Sequence, residues 1–551
     1  MVKYSFLSEV PEKLKDTLLR YISNPEGDTF VIDNLPPELK GALNARYSRA
    51  PVGLKLTLIN EFLDEEGNPS QRKGSELVDR VLNAFGDDSV GELEGMHVGF
   101  EDASNLLTKV IEDRRIGGSP IEQSTRYVKY DTKDEQGRWR YLRPKEIIEA
   151  GLLETYERVM DSAFEAYAQA IIKLSDYFEE RLPRSAFAIE VMRDGKKVQM
   201  GENGLSKEEK KEFRNAYNFT IRCAALDVGR CVLPLSTLTH FGVFGNGRYF
   251  TNLITVLKSH DLEEMRERGF RLETELKKNI PTFIKRNKVN LYAQDINRRM
   301  YDLVDKLTGG LVPDDKPVTL ISDAKYFDLV LGSAMFPYAN VSLPQILEVV
   351  EKLKPDQRRE IIEAYKGNRQ NRRDRSGRGL EAGYPLTFDL VMTYAEYRDL
   401  QRHRMLTQQR QRATTNLGFV LAFEIKEVGL ENKVSETVER MEELNQEIRK
   451  NQLDEAAQYT TLFNHRVRVL FGMNLREFQH LAELRTQLAG HYGYRSLVME
   501  MTRQIVAKYP ESEAFLQFVN FSDPENKIAR AKEQGVIAGK NLAKGITGEL
   551  D

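Results

Sequence analysis

Cysteine is scarce in this sequence, which has only Cys223 and Cys231 among 551 residues. The two lie eight positions apart in a segment whose pattern predicts one helix, a spacing unsuited to a local disulfide. A disulfide scaffold is therefore excluded, and the reducing cytoplasm is the expected location. No histidine or cysteine partner stands at ligand spacing from either thiol, so the sequence predicts no metal site.

Long apolar runs and an excess of one charge are also missing. No stretch approaches the roughly 18–20 apolar residues that cross a bilayer, and residues 1–16 do not resemble a secretory signal. Lysine and arginine total 81 against 84 aspartate and glutamate, a formal net charge of −3. This balance argues against a general nucleic-acid coat. We expect neither a membrane nor a nucleic-acid polymer among the partners.

The remaining composition is that of a globular protein, with 40% hydrophobic and 30% charged residues. At roughly 100–200 residues per domain, the length allows two to four domains. Apolar spacing predicts a long amphipathic helix or helix pair over 148–182 and an exposed antiparallel helix over 434–452. The best strand signals are 94–111 and 385–394. A helix-rich α+β fold follows.

Glycine, proline and aspartate at 307–318 mark the best boundary between two halves. We expect modules over 1–300 and 301–551, with an insertion near 185–215 where turn signals and mixed charge predict a surface excursion. The basic, glycine-punctuated stretch 365–385 has two interpretations. It is either a solvated flexible loop or a loop that contacts phosphate.

The two halves carry corresponding segments in the same order, which indicates one long internal repeat. Arg230 precedes Asn246 by 16 positions, and Gln458 precedes Asn474 by the same interval. The spacing agrees while the residues differ, as expected of an old duplication. The first-half segments are 89–93, 114–127, 229–237 and 246–253, and the second-half segments are 377–382, 402–416, 456–464 and 474–485.

These segments resemble the flavin-dependent thymidylate synthases over roughly 80–270 and 375–510. The family hallmark reads Arg-His-Arg, two residues, Ser, four residues, Ser, one residue and Arg, usually followed by Tyr, with Glu two positions before the second Ser. The first half keeps Arg114 but has Arg115-Ile116 in place of His-Arg, and it matches the later positions with Ser119, Glu122, Ser124, Arg126 and Tyr127. The second half keeps the opening trio and loses the later part, with Arg402, His403, Arg404, Thr407, Arg410, Arg412, Thr414 and Thr415.

The resemblance implies two tandem modules, each helix-rich with a small central sheet. Family members are homotetramers whose active sites take residues from several subunits. Here the first half keeps one contributing set and the second half keeps the other. We therefore expect one composite site between the halves, and a dimer of chains equivalent to the family tetramer.

The resemblance also implies the roles of individual residues in the methylation of dUMP to dTMP, with FAD as cofactor and with NADPH and methylene-tetrahydrofolate as co-substrates. Arginine suits this work because its planar fork binds phosphate oxygens in pairs. Arg485 and Ser124 are the expected catalytic residues. The expected contacts to the pyrimidine nucleotide are Glu122, Ser124, Arg126, Arg230, Arg402 and Arg485. The expected FAD contacts are Arg402, His403, Arg404, Asn246, Asn252, Asn474 and His491.

Two departures from the family pattern leave alternatives open. A family Glu-His pair is Glu92-Leu93 in one half and Glu381-Ala382 in the other, and a family glutamine is replaced by Asp399 in the second half. An aspartate there repels phosphate unless it pairs with Arg398 or another cation. The alternatives are a flavoenzyme of this fold acting on another nucleotide and a non-catalytic nucleotide-binding protein.

Overall fold

The computed structural model describes residues 4–79, 88–321, 326–368, 377–381, 386–509, 513, 516 and 518–545. The chain forms two compact units, each built from three separate stretches. The first contains Met1–Ala103, Val110–Glu122 and His240–Gln294, and the second contains Ser104–Lys109, Gln123–Thr239 and Asp295–Asp551. These units group residues by contact, whereas the predicted modules group them by ancestry, so the boundary near 300 stays a prediction.

Helices dominate the described chain. In order they are α1 (Glu12–Leu18), α2 (Pro37–Tyr47), α3 (Leu54–Thr57), α4 (Gln71–Val78), α5 (Asn105–Glu112), α6 (Lys145–Glu149), α7 (Leu153–Arg181), α8 (Lys207–Gly229), α9 (Gly247–Lys258), α10 (Glu263–Leu276), α11 (Leu291–Thr308), α12 (Tyr326–Met335), α13 (Leu343–Lys352), α14 (Pro355–Lys366), α15 (Tyr394–Leu400), α16 (Phe423–Glu427), α17 (Glu431–Lys450), α18 (Asp454–Ala457), α19 (Leu475–Arg485), α20 (Tyr492–Lys508) and α21 (Arg530–Ala543). None of these described helices is long and apolar enough to span a membrane.

Short strands form three small sheets. They are β1 (Gly95–Ser104), β2 (Gly118–Glu122), β3 (Ile189–Arg193), β4 (Lys196–Met200), β5 (Leu238–Asn246), β6 (Val318–Ile321), β7 (Leu386–Thr393), β8 (Thr407–Arg410) and β9 (Arg466–Met473). The sheet orders are β1-β5-β2, β3-β4 and β6-β7-β9-β8. The pairs β2–β5, β7–β9 and β8–β9 are antiparallel.

The repeat seen in the sequence is repeated in the topology. Each half contains a strand, a short helix and a second strand in succession. A third strand follows much later in the chain and lies between these two in the sheet. It is β5 between β1 and β2 in the first half, and β9 between β7 and β8 in the second. The helix after each central strand begins at an asparagine. The Asn246 side chain accepts from the Tyr249 N–H at 2.8 Å, and the Asn474 side chain accepts from the Glu477 N–H at 3.0 Å, which are N-caps of the usual kind.

Apolar stripes explain the long helices. The segment 148–182 is almost entirely α7, whose buried face includes Met160, Phe164 and Ile171, so the first alternative, one long amphipathic helix, is confirmed. The segment 434–452 lies in α17, which packs one apolar stripe on α7 and leaves its charged face exposed. The strand signal at 94–111 is half right. Its second part is α5, because apolar side chains at 106, 107 and 111 recur at helical spacing.

The expected insertion near 185–215 is the β3–β4 hairpin followed by the start of α8. Helix α21 packs on β3 and α8. Gly535 and Gly539 make this approach possible, because a Cβ at either position would overlap the backbone carbonyl oxygen of Ala188 or Glu190. The basic stretch 365–385 falls largely outside the described residues.

Candidate functional site

The second unit joins the two halves of the repeat through equivalent turns, at 229–237 and 456–464. The Leu235 N–H donates to the Thr461 carbonyl and the Phe463 N–H donates to the Leu233 carbonyl, both at 2.9 Å. Since 233 corresponds to 461 and 235 to 463, these two hydrogen bonds form a two-fold pattern. The halves are therefore packed against each other at the segments that the repeat predicted to be equivalent.

The turn after β2 carries the hallmark residues of the first half. The Ser124 Oγ accepts from the Arg126 N–H at 3.2 Å, and the Ser124 carbonyl accepts from the Tyr127 and Val128 N–H groups at 3.0 Å each. These bonds hold the turn compact. They direct the Ser124 hydroxyl toward its own backbone, in the manner of a turn residue.

Arg126 forms a bidentate ion pair with Asp227 on α8. The Nε–Oδ1 distance is 2.6 Å and the Nη2–Oδ2 distance is 2.9 Å, and the two side chains are only 8% and 12% exposed. Burial alone would raise the pKa of Asp227, but Arg126 outweighs it and holds that pKa well below its usual range. The Arg126 Nη2 also donates to the carbonyl of Ala489, a residue of the second half, at 3.3 Å.

Arg230 is the second buried cation and is 2% exposed. It follows α8, and its Nη1 donates to the Thr125 Oγ1 at 3.3 Å; the Arg398 Nη1 donates to the same oxygen at 2.9 Å. The Arg230 Nε and Nη2 make no hydrogen bond to the described residues. Burial lowers the pKa of Arg230, opposed by Asp227 and Asp399.

Asp399 lies among these cations. Its Oδ2 is 3.9 Å from the Arg230 Nη2. Burial opposes its ionisation, yet Arg126, Arg230, Arg402 and Arg485 together lower its pKa. The aspartate that replaces the family glutamine is therefore charged and neutralised by arginines. We call Arg126, Arg230, Asp227 and Asp399, with Arg402 and Arg485 beside them, the arginine cluster.

Arg485 closes α19 and is held by a histidine. Its Nε donates to the His403 Nε2 at 2.9 Å, and the His403 Nδ1 lies 3.0 Å from the Glu477 Oε1. His403 is 4% exposed. Burial is the largest cause that lowers its pKa, so the ring is neutral at pH 7.

The other residues expected to bind FAD divide into exposed cations and capping residues. Arg402 and Arg404 are exposed on the turn after α15, on either side of the buried His403. Asn474 caps α19. His491 caps α20, accepts from the Gly493 N–H at 3.1 Å and is 3% exposed. Burial, with Arg230 next in effect, lowers the pKa of His491 to about 3.

Three expected site residues belong to the first unit. Glu122 ends β2 opposite Phe241 and is buried. Asn246 caps α9, and Asn252 lies one and a half turns along that helix, half-buried. Their roles stay predictions.

Sequence reasoning missed Asp227 and Glu477, which hold the two main arginines in position. Asp227 stands one helical turn before Arg230, so the spacing of three was available as a signal. Glu477 stands three residues after Asn474, at the N3 position of its helix.

The chemistry of the donor set is compatible with a flavin dinucleotide. Arg402 and Arg404 supply two exposed guanidinium groups close in sequence, which suit a pyrophosphate. His403 is engaged at both ring nitrogens, so its part is to hold Arg485.

The duplicated sheets and the two equivalent turns define a thymidylate synthase-like α+β fold present twice in one chain. The family model described as thymidylate synthase complementing protein matches residues 33–282 and 381–511. The chain belongs to this family, which is that of the flavin-dependent thymidylate synthases, and it carries the family module as a diverged tandem duplication.

Relatives match this chain over most of its length. A UPF0159 protein of Chlamydia pneumoniae is 34% identical over 532 residues, covering 93% of this chain and 95% of the relative. A UPF0159 protein of Thermoplasma acidophilum is 30% identical over 507 residues, covering 91% and 99%. Among solved structures, the UMP/dUMP methylase PolB from Streptomyces cacaoi bound with 5-Br dUMP is 17% identical, with a TM-score of 0.27, over 46% of this chain and 91% of that one.

Proposed function

We propose that this chain is a flavin-dependent methylase that converts dUMP to dTMP, with FAD as cofactor and with methylene-tetrahydrofolate and NADPH as co-substrates. The observation that supports it is the arginine cluster. Arg126 and Arg230 from the first half meet Asp399 from the second, within one compact unit, and Arg402 and Arg485 act on the same carboxylate. A site composed of residues from both halves requires that these side chains lie close together.

The nucleotide end of the site would use several cations together. A monophosphate carries close to two negative charges, and Arg126, Arg230 and Arg402 are the proposed partners of its oxygens, together with Ser124. The contact expected of Glu122 stays a prediction. Arg485 is the proposed electrophile for the pyrimidine carbonyl. Its Nε is anchored on His403, so its terminal nitrogens can meet developing negative charge in a fixed orientation.

The cofactor end would rest on Arg402 and Arg404, and His403 would serve it through Arg485. The roles of Asn246, Asn252, Asn474 and His491 stay predictions from the family resemblance. A bound flavin supplies the hydride chemistry that side chains cannot perform. The protein's part is to bind, orient and exclude water. We also propose that two chains associate, giving four modules, as in the family tetramer; light scattering on the purified protein tests this.

The charge balance of the cluster favours a second candidate. Asp227 already occupies the fork of Arg126, and Asp399 lies beside Arg230. A phosphate dianion would have to compete with two carboxylates. Every nucleotide would meet this competition, so it favours a degenerate site that binds a nucleotide without methylating it. A flavoenzyme of the same fold acting on another nucleotide is the remaining alternative.

The test separates these candidates in one preparation. The protein is reconstituted with FAD, its flavin absorbance is recorded, its melting temperature is measured with dUMP, UMP and dCMP, and dTMP formation is assayed with both co-substrates. Bound flavin with dTMP formation supports the methylase. Bound flavin without it supports another nucleotide, and nucleotide-dependent stabilisation without flavin supports the binding protein.

Two variants test whether the arginine cluster is the nucleotide site. Arg485→Ala should abolish stabilisation by the nucleotide in every case. Arg193→Ala is the control for the loss of one arginine, because Arg193 pairs with Glu209 outside the cluster. If nucleotide stabilisation survives Arg485→Ala, the composite site is wrong.

A further inference from the structure

We propose that Glu477 is a positioning residue that acts through His403 to fix the guanidinium of Arg485. The role of Arg485 toward a nucleotide rests on the proposed function, but the relay from Glu477 to Arg485 does not. All three residues come from the second half and lie in the second unit.

The relay follows from what each group can donate. The Arg485 Nε carries a hydrogen and has no lone pair to offer, so at 2.9 Å the His403 Nε2 must be the acceptor. A neutral imidazole that accepts at Nε2 carries its hydrogen on Nδ1. The Glu477 Oε1, 3.0 Å from Nδ1, is then the acceptor of that hydrogen. The tautomer with its hydrogen on Nδ1 satisfies both hydrogen bonds. The tautomer with its hydrogen on Nε2 would bring that hydrogen against the Nε hydrogen of Arg485.

Burial of both side chains strengthens the preference for the Nδ1–H tautomer. His403 is 4% exposed and Glu477 is 8% exposed, so water cannot readily replace either partner. The Glu477 backbone is fixed, because its N–H donates to the Asn474 cap of α19, and its buried side chain reaches His403 from there. The carboxylate therefore orients the ring, and the ring orients the arginine, as outer partners orient a ligating histidine in metal sites.

Two substitutions separate the acceptor from the charge. Glu477→Gln keeps an oxygen that can accept from Nδ1, whereas Glu477→Leu removes the acceptor at similar bulk. Glu439→Gln, on the exposed face of α17, is the control for the loss of one negative charge. The first measurement is the tautomer of His403, from the ring ¹⁵N shifts of histidine-labelled protein, with the signals assigned by their loss in His403→Gln.

The wild type is expected to show a protonated Nδ1 and an unprotonated Nε2. Glu477→Gln and Glu439→Gln should keep that pattern. In Glu477→Leu the ring is no longer held, so its bond to Arg485 should be lost and the hydrogen should move to Nε2; an unchanged tautomer would mean that the ring still accepts from Arg485 without Glu477. The second measurement is dUMP affinity by calorimetry. Glu477→Leu should weaken it roughly tenfold, the scale of one hydrogen bond to a charged group, and Glu477→Gln should keep it within about threefold.

A wild-type hydrogen on Nε2, or an unchanged tautomer in Glu477→Leu, overturns the relay. A changed tautomer with unchanged dUMP affinity overturns its role in binding. If the wild type does not bind dUMP, the proposed function fails, while the ¹⁵N shifts still decide the relay. If Glu477→Leu does not fold, the wild-type and Glu477→Gln spectra decide it.

Discussion

The buried pair of Arg126 and Asp227 allows a quantitative test of what stabilises the second unit. Removing one partner of a buried, bidentate ion pair leaves an uncompensated charge and costs about 3–5 kcal/mol. Removing both charges while keeping hydrogen-bonding side chains is often close to neutral. We therefore expect Arg126→Gln to destabilise the second unit strongly, and the double variant Arg126→Gln/Asp227→Asn to recover most of the loss.

The chain offers a local reporter for this experiment. Trp139, its only tryptophan, lies buried in the second unit with its ring 5.6 Å from that of Phe164. Thermal unfolding followed by tryptophan fluorescence therefore reports on that unit. For a unit of several hundred residues, 3–5 kcal/mol corresponds to a fall in Tm on the order of 5 °C.

A matched pair nearer the solvent supplies the control. Arg193 and Glu209 form a bidentate pair of similar length, but Arg193 is 38% exposed. An exposed pair contributes little because solvent screens it, so Arg193→Gln should lower Tm by no more than roughly 1 °C. The reasoning is refuted if Arg126→Gln behaves like this control, or if adding Asp227→Asn restores nothing.

Other perturbations probe pH, packing and thiol burial. Because the pKa of His491 is lowered to about 3, the folded protein keeps this ring neutral while the unfolded chain takes up a proton below about pH 6.5. The free energy of unfolding should therefore fall as the pH drops below that value, and this group contributes up to about 1.4 kcal/mol per pH unit. In His491→Gln, the urea midpoint of unfolding should depend less steeply on pH. An unaltered slope would contradict the burial of a neutral His491. Gly539→Ala should displace α21 from the Glu190 backbone and so accelerate trypsin cleavage near α21. Gly310→Ala is the control, because the space around Gly310 is open and cleavage should not change. Equal cleavage rates in the two variants would contradict the packing of α21. Burial raises the pKa of Cys223 to about 11, so native protein should react with a thiol reagent far more slowly than unfolded protein, and rapid native labelling would disprove its burial.

The sequence predicted those parts of the fold that depend on local patterns. Helical spacing located α7 and α17, and the run 385–394 became β7. The equal intervals from Arg230 to Asn246 and from Gln458 to Asn474 predicted equivalent turns, and these turns do pair across the halves. The strand predicted over 94–111 extended too far, into the residues of α5. The apolar side chains of α5 are compatible with a buried strand as well as with a helix.

The parts of the candidate site that sequence reasoning missed depend on distant pairs. The hallmark pointed to Arg126, but its partner Asp227 is 101 positions away, and no local rule joins them. Likewise, Glu477 is 74 positions from His403. A motif names the residues that a family uses, whereas the groups that hold those residues in place emerge only from packing.

The second unit is assembled from stretches far apart in the chain, and this has a consequence during synthesis. Helices α7 and α8 pack against α16, α17 and α21, which emerge from the ribosome much later. At roughly 5–20 residues per second, the hairpin strand β3 waits on the order of tens of seconds for α21. During the first part of that interval the side of α7 that packs on α17 also lacks its final partner, so a fragment ending near residue 300 should aggregate or recruit chaperones. We therefore expect that the two halves of this duplication do not fold as separate proteins.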